Sequence, residues 1–435
     1  MKGRKMLARV SLIGERLKSD EMARHGSMMA AFVFLGGLFS YLYQLVMGRM
    51  LSAAEYGTLF SLTSLFMIFM VFSQTIQTSI AKFTSTFKVE NRPGRIKYLW
   101  KTAFMQTLLF GLALFVILVL LSPLISSFLN IDNNWHCVIV FSSFLLAFAI
   151  PANCGVLQGQ QRFFSLGVST LLLSLLRLSL GALLVYLGFG LYGGLLGVPL
   201  AVFVVFFVTL FFLRGLARGS NEKVEVGGLF SYAGLTLLAI GCFTILTNMD
   251  VVLAKHYLDS ENAGNYSSIA VLGRIALIAP MGIAMAMFPK TSALFQIGRS
   301  YRPILLKAML FTILIAGAVV VVYWLFPDFV VNALFGDKYP MATDHILKYG
   351  AAMFLFAISF LLMNLLLSLN KTKVAYCLLG TALFQLGLIV LFHSNIAQLV
   401  NIMLISAALC LVFMFPFYLK VSRAELGGGI HGRKE

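Results

Sequence analysis

Between Lys373 and Lys420 the chain runs for 46 residues without a single Asp, Glu, Lys or Arg. As one helix that run would be about 69 Å long, more than twice the roughly 30 Å of hydrocarbon in a bilayer. The polar stretch HSNIAQ, residues 393 to 398, divides it, so it reads as two membrane crossings. The same length rule along the chain predicts twelve apolar spans: 28–48, 56–80, 102–121, 137–157, 163–185, 191–213, 229–251, 266–288, 304–326, 349–369, 374–392 and 396–419. With 60% hydrophobic and 11% charged residues, such a chain has too little polar surface to cover itself in water. The expected fold class is therefore an all-α membrane protein.

A net charge of +17 would, on a soluble chain, suggest a nucleic-acid partner. Here the basic residues follow the spans instead. With the N-terminus inside, 27 of the 33 Lys and Arg fall in inner segments, and only Arg49, Lys255, Lys338 and Lys348 fall outside. Acidic residues divide almost evenly, as expected when orientation follows Lys and Arg rather than net charge. The excess is a topology signal: both termini are expected in the cytoplasm of a multi-pass protein of the cytoplasmic membrane, with no nucleic acid as partner. Residues 1–27 have no signal-peptide core. Met6, Val10, Ile13 and Leu17 recur there at helical spacing among basic residues, which fits either an interfacial helix or a plain cytoplasmic extension. The five cysteines, Cys137, Cys154, Cys242, Cys377 and Cys410, form no CxxC pair and read as small packing residues, not metal ligands.

The stretch LSAAEYGTLFSLTSL at residues 51–65 returns 207 positions later as LDSENAGNYSSIAVL, with Leu258 answering Leu51 and Gly264 answering Gly57. AKFTSTF (81–87) is likewise answered by PKTSALF (289–295), and Lys101 by Lys307. Six spans precede the connector RGLARGSNEKVEVGG (214–228) and six follow it. An even number of crossings makes the two repeats parallel, related by an axis along the membrane normal. The expected domains are an N-terminal segment (1–27), a six-helix bundle (28–213), the connector, a second six-helix bundle (229–419) and a tail (420–435). Two bundles of this kind suit alternating access, in which a central cleft opens to one side of the membrane and then the other.

The repeated LSAAEYGTLFSLTSL, the block TNMDVVLAKHYLDSENAGNYSSIAVLGR (247–274) and the six-plus-six layout resemble the oligosaccharide flippases of the multidrug/oligosaccharidyl-lipid/polysaccharide exporter (MOP) superfamily, over about residues 25 to 420. The resemblance implies a MATE-like, V-shaped transporter with a cavity between its bundles. It also implies a polyprenyl-diphosphate-linked glycan as cargo, moved from the inner to the outer leaflet for lipopolysaccharide or exopolysaccharide synthesis, with a polysaccharide polymerase and glycosyltransferases as partners beside the membrane lipids. Peptidoglycan-precursor flippases of the superfamily usually carry two further C-terminal spans, which points away from a peptidoglycan cargo.

A diphosphate head group must not meet hydrocarbon, so the carrier needs buried positive charge. Arg177 and Arg274 are the basic residues deep inside spans, each costing about 2.5–3.5 kcal/mol at a helix centre. Guanidinium suits phosphate because its planar donors grip two oxygens together. In the resembled family a basic residue at the place of Arg274 in the eighth helix faces the cavity and is proposed to meet the diphosphate; the competing reading for both arginines is a structural ion pair or a backbone anchor. Asp250, the acid placed within a span, has three open readings: an ion pair with a cavity arginine, a proton- or sodium-coupling carboxylate, or an interfacial helix-end acid. Its repeat counterpart is Tyr43, so the charge breaks the pseudo-symmetry.

Lys82 and Lys290 are repeat mates at the inner ends of spans two and eight, placed either to attract an anionic head group or to anchor the inner leaflet. Arg49 closes the first span outside, to meet departing cargo or a lipid phosphate. Gln74, Gln77, Asn248, Asn364 and Gln385 offer amides that suit sugar hydroxyls and interhelical hydrogen bonds equally. Gly193 and Gly197 form a GxxxG expected at a close helix contact, and Pro151, Pro199 and Pro280 are candidate kinks.

The sequence has no GxxxxGK[ST] phosphate loop and no HExxH, so neither a nucleotide nor a metal cofactor is expected, and no catalytic residue is assigned. An outward-moving head group of two negative charges would gain roughly 2.3 kcal/mol per charge from an inside-negative 100 mV. Two rivals remain. A drug or organic-cation antiporter of the same superfamily would favour acids over the two intramembrane arginines. A polysaccharide polymerase or ligase would typically present a long outer loop, whereas the longest outer connection here is residues 327–348.

Overall fold

A computed structural model describes residues 28–29, 31–217, 222, 233–296 and 298–426. The N-terminal segment 1–27, most of the connector 214–228 and residues 427–435 of the tail lie outside the described residues. Those described are helical almost throughout, with no strand among them. The long helices are α1 (Ala31–Met50), α2 (Ala53–Val89), α3 (Pro93–Leu120) and α4 (Trp135–Gly159). They continue with α5 (Phe163–Leu184), α6 (Gly190–Ala217), α7 (Ala233–Tyr257), α8 (Ser260–Ser292) and α9 (Arg302–Leu325). The series ends with α10 (Pro340–Ser368), α11 (Val374–Leu391) and α12 (Ile396–Leu426).

Eleven helical runs among the described residues are long and apolar enough to cross a membrane, and one of them, Phe163–Leu216, is 54 residues long. That run is α5 and α6 joined through the wide turn Val185–Phe189, where Gly188 takes φ +92° and Gly190 φ +50°. A side chain would strain both positions, so glycine sets the reversal. The chain folds back there: a Cβ on Gly197 would lie 2.9 Å from Gly181 Cα and 3.0 Å from Arg177 O. The expected close contact at Gly193 and Gly197 is thus the α5–α6 interface, and the run supplies two crossings.

Several helices outrun their apolar spans. The span expected at 56–80 is the middle of α2, which continues to Val89, and the span expected at 102–121 begins at Pro93. Backbone hydrogen bonding does not stop where the hydrocarbon does, so apolar length underestimates helix length at the basic ends.

The repeated motif starts α2 and α8. Ser52 caps α2 in a reciprocal box: Glu55 N donates to Ser52 Oγ at 3.3 Å, and Ser52 N donates to Glu55 Oε2 at 3.0 Å. Its repeat mate Asp259 caps α8, accepting from Asn262 N at 2.8 Å and Glu261 N at 3.1 Å. Backbone N–H donation, chiefly from Asn262, holds the Asp259 carboxyl below the usual carboxylate range. A carboxyl with a lowered folded pKa stabilises above its unfolded pKa and loses that contribution as pH falls through the folded value. Asp259→Ala should therefore cost about 1 kcal/mol near neutral pH. The deficit against wild type in thermal unfolding should shrink below about pH 4.

By packing, the chain divides into two units. One gathers the described residues up to Val46, Ser73–Leu120 and those within Val138–Val226. The other gathers Met47–Phe72, Leu121–Cys137 and the described residues of Gly227–Glu435. The described chain passes from the first unit to the second between residues 222 and 233, and two early stretches belong to the later unit. Their contacts explain it. Gly57 meets Gly264 backbone to backbone, and Asn130 Nδ2 donates to His256 O at 2.8 Å while Phe128 stacks on the His256 ring with centroids 3.9 Å apart. In the first unit, connector residue Glu222 is tied to the start of α3, accepting from Arg95 Nε at 2.8 Å and Arg92 Nη1 at 3.0 Å.

Candidate functional site

The carboxylate of Asp250, on α7, is fully buried. An isolated carboxylate there would cost several kcal/mol, so it must be matched by donors. Three converge on it within the second unit. Tyr349 of α10 donates its hydroxyl to Oδ2 at 2.6 Å, Tyr266 of α8 donates to the same oxygen at 2.9 Å, and Arg274 Nη2 reaches Oδ1 at 3.3 Å. Arg274 sits at an interruption of α8, between the helical segments Ser260–Gly273 and Ile275–Ile278. Its guanidinium lies 5.0 Å from the Phe60 ring of α2, its side chain keeps 11% exposure, and its Nε is buried without an acceptor. Asp250 is thus ion-paired with Arg274 and bonded to two phenols.

Arg177, on α5 in the first unit, is held differently. Its guanidinium carbon lies 4.2 Å from the centroid of the Tyr43 ring, and Tyr43 is fixed by donating its hydroxyl to Gly194 O at 2.7 Å. Arg177 Nε and Nη2 are buried and have no hydrogen-bond acceptor. Tyr43 and Asp250 are repeat mates. The equivalent position on the first helix of each half thus meets a guanidinium, with an aromatic face in one case and a carboxylate in the other. The Arg274 charge is neutralised by its partner, whereas a ring quadrupole leaves the Arg177 charge in place.

The remaining candidates are engaged elsewhere. Arg49 donates Nε to Leu334 O at 2.8 Å and Nη2 to Ala333 O, at the C-terminal end of the short helix Pro327–Phe335. Lys338 returns the contact by donating to Arg49 O and, at 3.2 Å, to Leu51 O, while Tyr339 donates to Gly48 O at 2.9 Å. Arg49 covers carbonyls that end the helix Pro327–Phe335 and Lys338 covers carbonyls at the end of α1, an arrangement the helix dipole favours. Lys82 and Lys290 are exposed on α2 and α8. Gln77 Nε2 bridges to Gln158 Oε1 at 3.1 Å; the Gln74 side chain lies outside the described residues. Asn248 and Asn364 turn back onto their own helices, donating to Thr244 O at 2.9 Å and Phe360 O at 2.8 Å. Gln385 donates to Leu246 O at 3.1 Å, an interhelical bond. Sequence reasoning missed Tyr266 and Tyr349. Tyr266 was findable, since it stands two helical turns before Arg274 on the same face; Tyr349 carries no local signal.

Residues 46–344 match the family described as polysaccharide biosynthesis protein, which is more than half of the chain. Among solved structures, the fold is similar to an inward-facing multidrug resistance MATE transporter of the MOP superfamily at 12% identity, covering 91% of this chain and 96% of that one, with a TM-score of 0.77. It is also similar to lipid II flippase MurJ in an inward closed conformation, at 12% identity over 90% and 87% of the two chains, with a TM-score of 0.69. A MOP superfamily transporter from Pyrococcus furiosus follows at 13% identity, 92% and 95% coverage and a TM-score of 0.65. No curated protein matches the chain. Identities this low speak for the fold alone. The chain belongs to the polysaccharide biosynthesis protein family and has the all-helical membrane fold seen in MOP-superfamily transporters.

Proposed function

We propose that the protein carries a polyprenyl-diphosphate-linked oligosaccharide from the inner to the outer leaflet of the cytoplasmic membrane, for cell-surface polysaccharide synthesis. Arg177 supports this reading most directly: a guanidinium among apolar helices, with Nε and Nη2 buried and unmatched. An anionic head group would supply the missing acceptors, and a diphosphate suits a planar cation better than a neutral sugar does. Arg274, in the second unit, is on its own a phosphate contact. Lys82 and Lys290, both exposed, are secondary contacts met on entry, whereas Arg49, Gln77 and Asn248 are already bonded within the protein. Both termini face the cytoplasm, transport proceeds by alternating access, and glycosyltransferases and a polymerase stand on either side of it in the pathway.

The cation-exporter reading is weaker on a specific point. Its carboxylate would be Asp250, and that side chain is already bonded to two phenols and an arginine. A polymerase or ligase needs catalytic groups outside, yet between α9 and α10 the chain holds only the helix Pro327–Phe335 and a short turn. The test uses vesicles containing the purified protein, a fluorescent polyprenyl-diphosphate glycan and, separately, a fluorescent organic cation. Protein-dependent leaflet exchange of the glycan lipid without accumulation of the cation is expected. Cation accumulation without glycan exchange would overturn the proposal.

A further inference from the structure

The three donors to Asp250 are unequal. Both phenols bind Oδ2, at 2.6 and 2.9 Å, close to the range of strong hydroxyl–carboxylate bonds. Arg274 approaches the other oxygen with one nitrogen at 3.3 Å, beyond the usual 2.7–2.9 Å of a charged N–H···O contact. It leaves its Nε unused, although a guanidinium can engage a carboxylate through two parallel bonds. A pair built for rigidity would be two-pronged and short. Here the carboxylate is held by tyrosines and the arginine only leans on it.

We infer that Asp250 is a displaceable counter-ion for Arg274: the cargo diphosphate draws the guanidinium away, and Tyr266 and Tyr349 keep the abandoned carboxylate bonded until the cargo leaves. This rests on the reading of the protein as a carrier of diphosphate-linked lipid, and it adds how the site is neutralised when empty. Two further observations support it. Arg274 retains 11% side-chain exposure at a break in its helix, so it has an open side. The first unit holds Arg177 over Tyr43, at the equivalent position, with no carboxylate paired to it among the described residues, so holding a guanidinium there does not require an acid. The acid is an addition whose effect is to cancel charge, and the tyrosines make that cancellation reversible. Losing one of three donors leaves two charge-assisted hydrogen bonds on a buried group, whereas losing a sole partner would strand it.

The experiment measures binding of inorganic diphosphate and of farnesyl diphosphate to the full-length protein in nanodiscs, with a thermal unfolding scan on each variant. Asp250→Asn keeps an acceptor for the phenols but removes the competing charge, so diphosphate should bind at least about tenfold more tightly than to wild type. Leaflet exchange of the glycan lipid should slow, because release loses its returning partner. Tyr266→Phe combined with Tyr349→Phe strips the carboxylate of its other donors, ties it to Arg274 and should weaken binding about tenfold. Adding Asp250→Asn to that pair should restore tight binding, a reversal that a merely structural role would not produce. If folded Asp250→Asn binds diphosphate no better than wild type, the inference is overturned. If Asp250→Asn fails to fold, Tyr349→Phe alone decides: weakened binding supports the inference and unchanged binding refutes it. If wild type binds neither diphosphate, the carrier reading itself fails and takes this inference with it.

Discussion

An Arg177→Met protein is expected to unfold at the wild-type temperature or above it, while its transport of a diphosphate-linked head group falls at least about thirtyfold. The stability side follows from the two opposing terms. An unmatched guanidinium in an apolar span costs about 2.5–3.5 kcal/mol, and the Tyr43 ring returns about 0.5–2 kcal/mol of that. Methionine, of similar length and without charge, removes both, so the net change favours folding or cancels. The function side follows from the two buried nitrogens that Arg177 offers, because losing one partner of a buried charge pair costs about 2–5 kcal/mol of binding. Arg274→Met should behave in the opposite way on stability. It leaves the buried Asp250 carboxylate without its cation, a loss of about 3–5 kcal/mol when no other donors remain and less here because two phenols stay. Thermal unfolding of both variants in one detergent tests this. Equal destabilisation by the two substitutions would show that Arg177 is held by partners as firmly as Arg274.

Gly264→Leu is expected to abolish folding at physiological temperature. A Cβ at Gly264 would stand 2.0 Å from Ala53 O and 2.5 Å from Ala53 C, and both are backbone atoms next to the Ser52 cap, with no rotamer to relieve them. Helices α2 and α8 would have to part at the ends where both are capped. The repeat mate Gly57 is less crowded, with its nearest contact, Gly264 N, at 2.9 Å. Gly57→Ala should therefore cost about 1–3 kcal/mol and Gly264→Ala more than that, although the two glycines are equivalent in the repeat. Denaturation midpoints of the two alanine variants check the order. A smaller loss for Gly264→Ala would show that the α2–α8 crossing is looser than this geometry.

Those glycines also show how much was legible in the chain. Each is the fifth residue of its helix, and the repeat alone places them correspondingly. What the repeat did not show is that they touch, because a local echo carries no distance. The twelve expected spans are readable because hydrocarbon thickness imposes a length; Gly188 and Gly190 of the α5–α6 reversal carry no such signal, since only the folded backbone shows their positive φ. Asp250 and Arg274 stood out because charge in an apolar span is rare, but their pairing was one of three open readings. Tyr349 was invisible, since a tyrosine in a membrane helix is common and its acceptor lies 99 residues away. In the sequence Arg49 reads as a contact for cargo or lipid; its acceptors in the structure are backbone carbonyls, which every residue carries and no sequence pattern announces.

The central claim is that buried guanidinium charge selects a phosphorylated lipid. It is tested most directly by leaflet exchange in vesicles of one protein preparation, using the same fluorescent glycan joined to its polyprenyl chain through a diphosphate, a monophosphate or an uncharged linkage. The account predicts rates falling in that order for wild type, with the differences collapsing in Arg177→Met. Equal rates for the charged and uncharged lipids in wild type would contradict it.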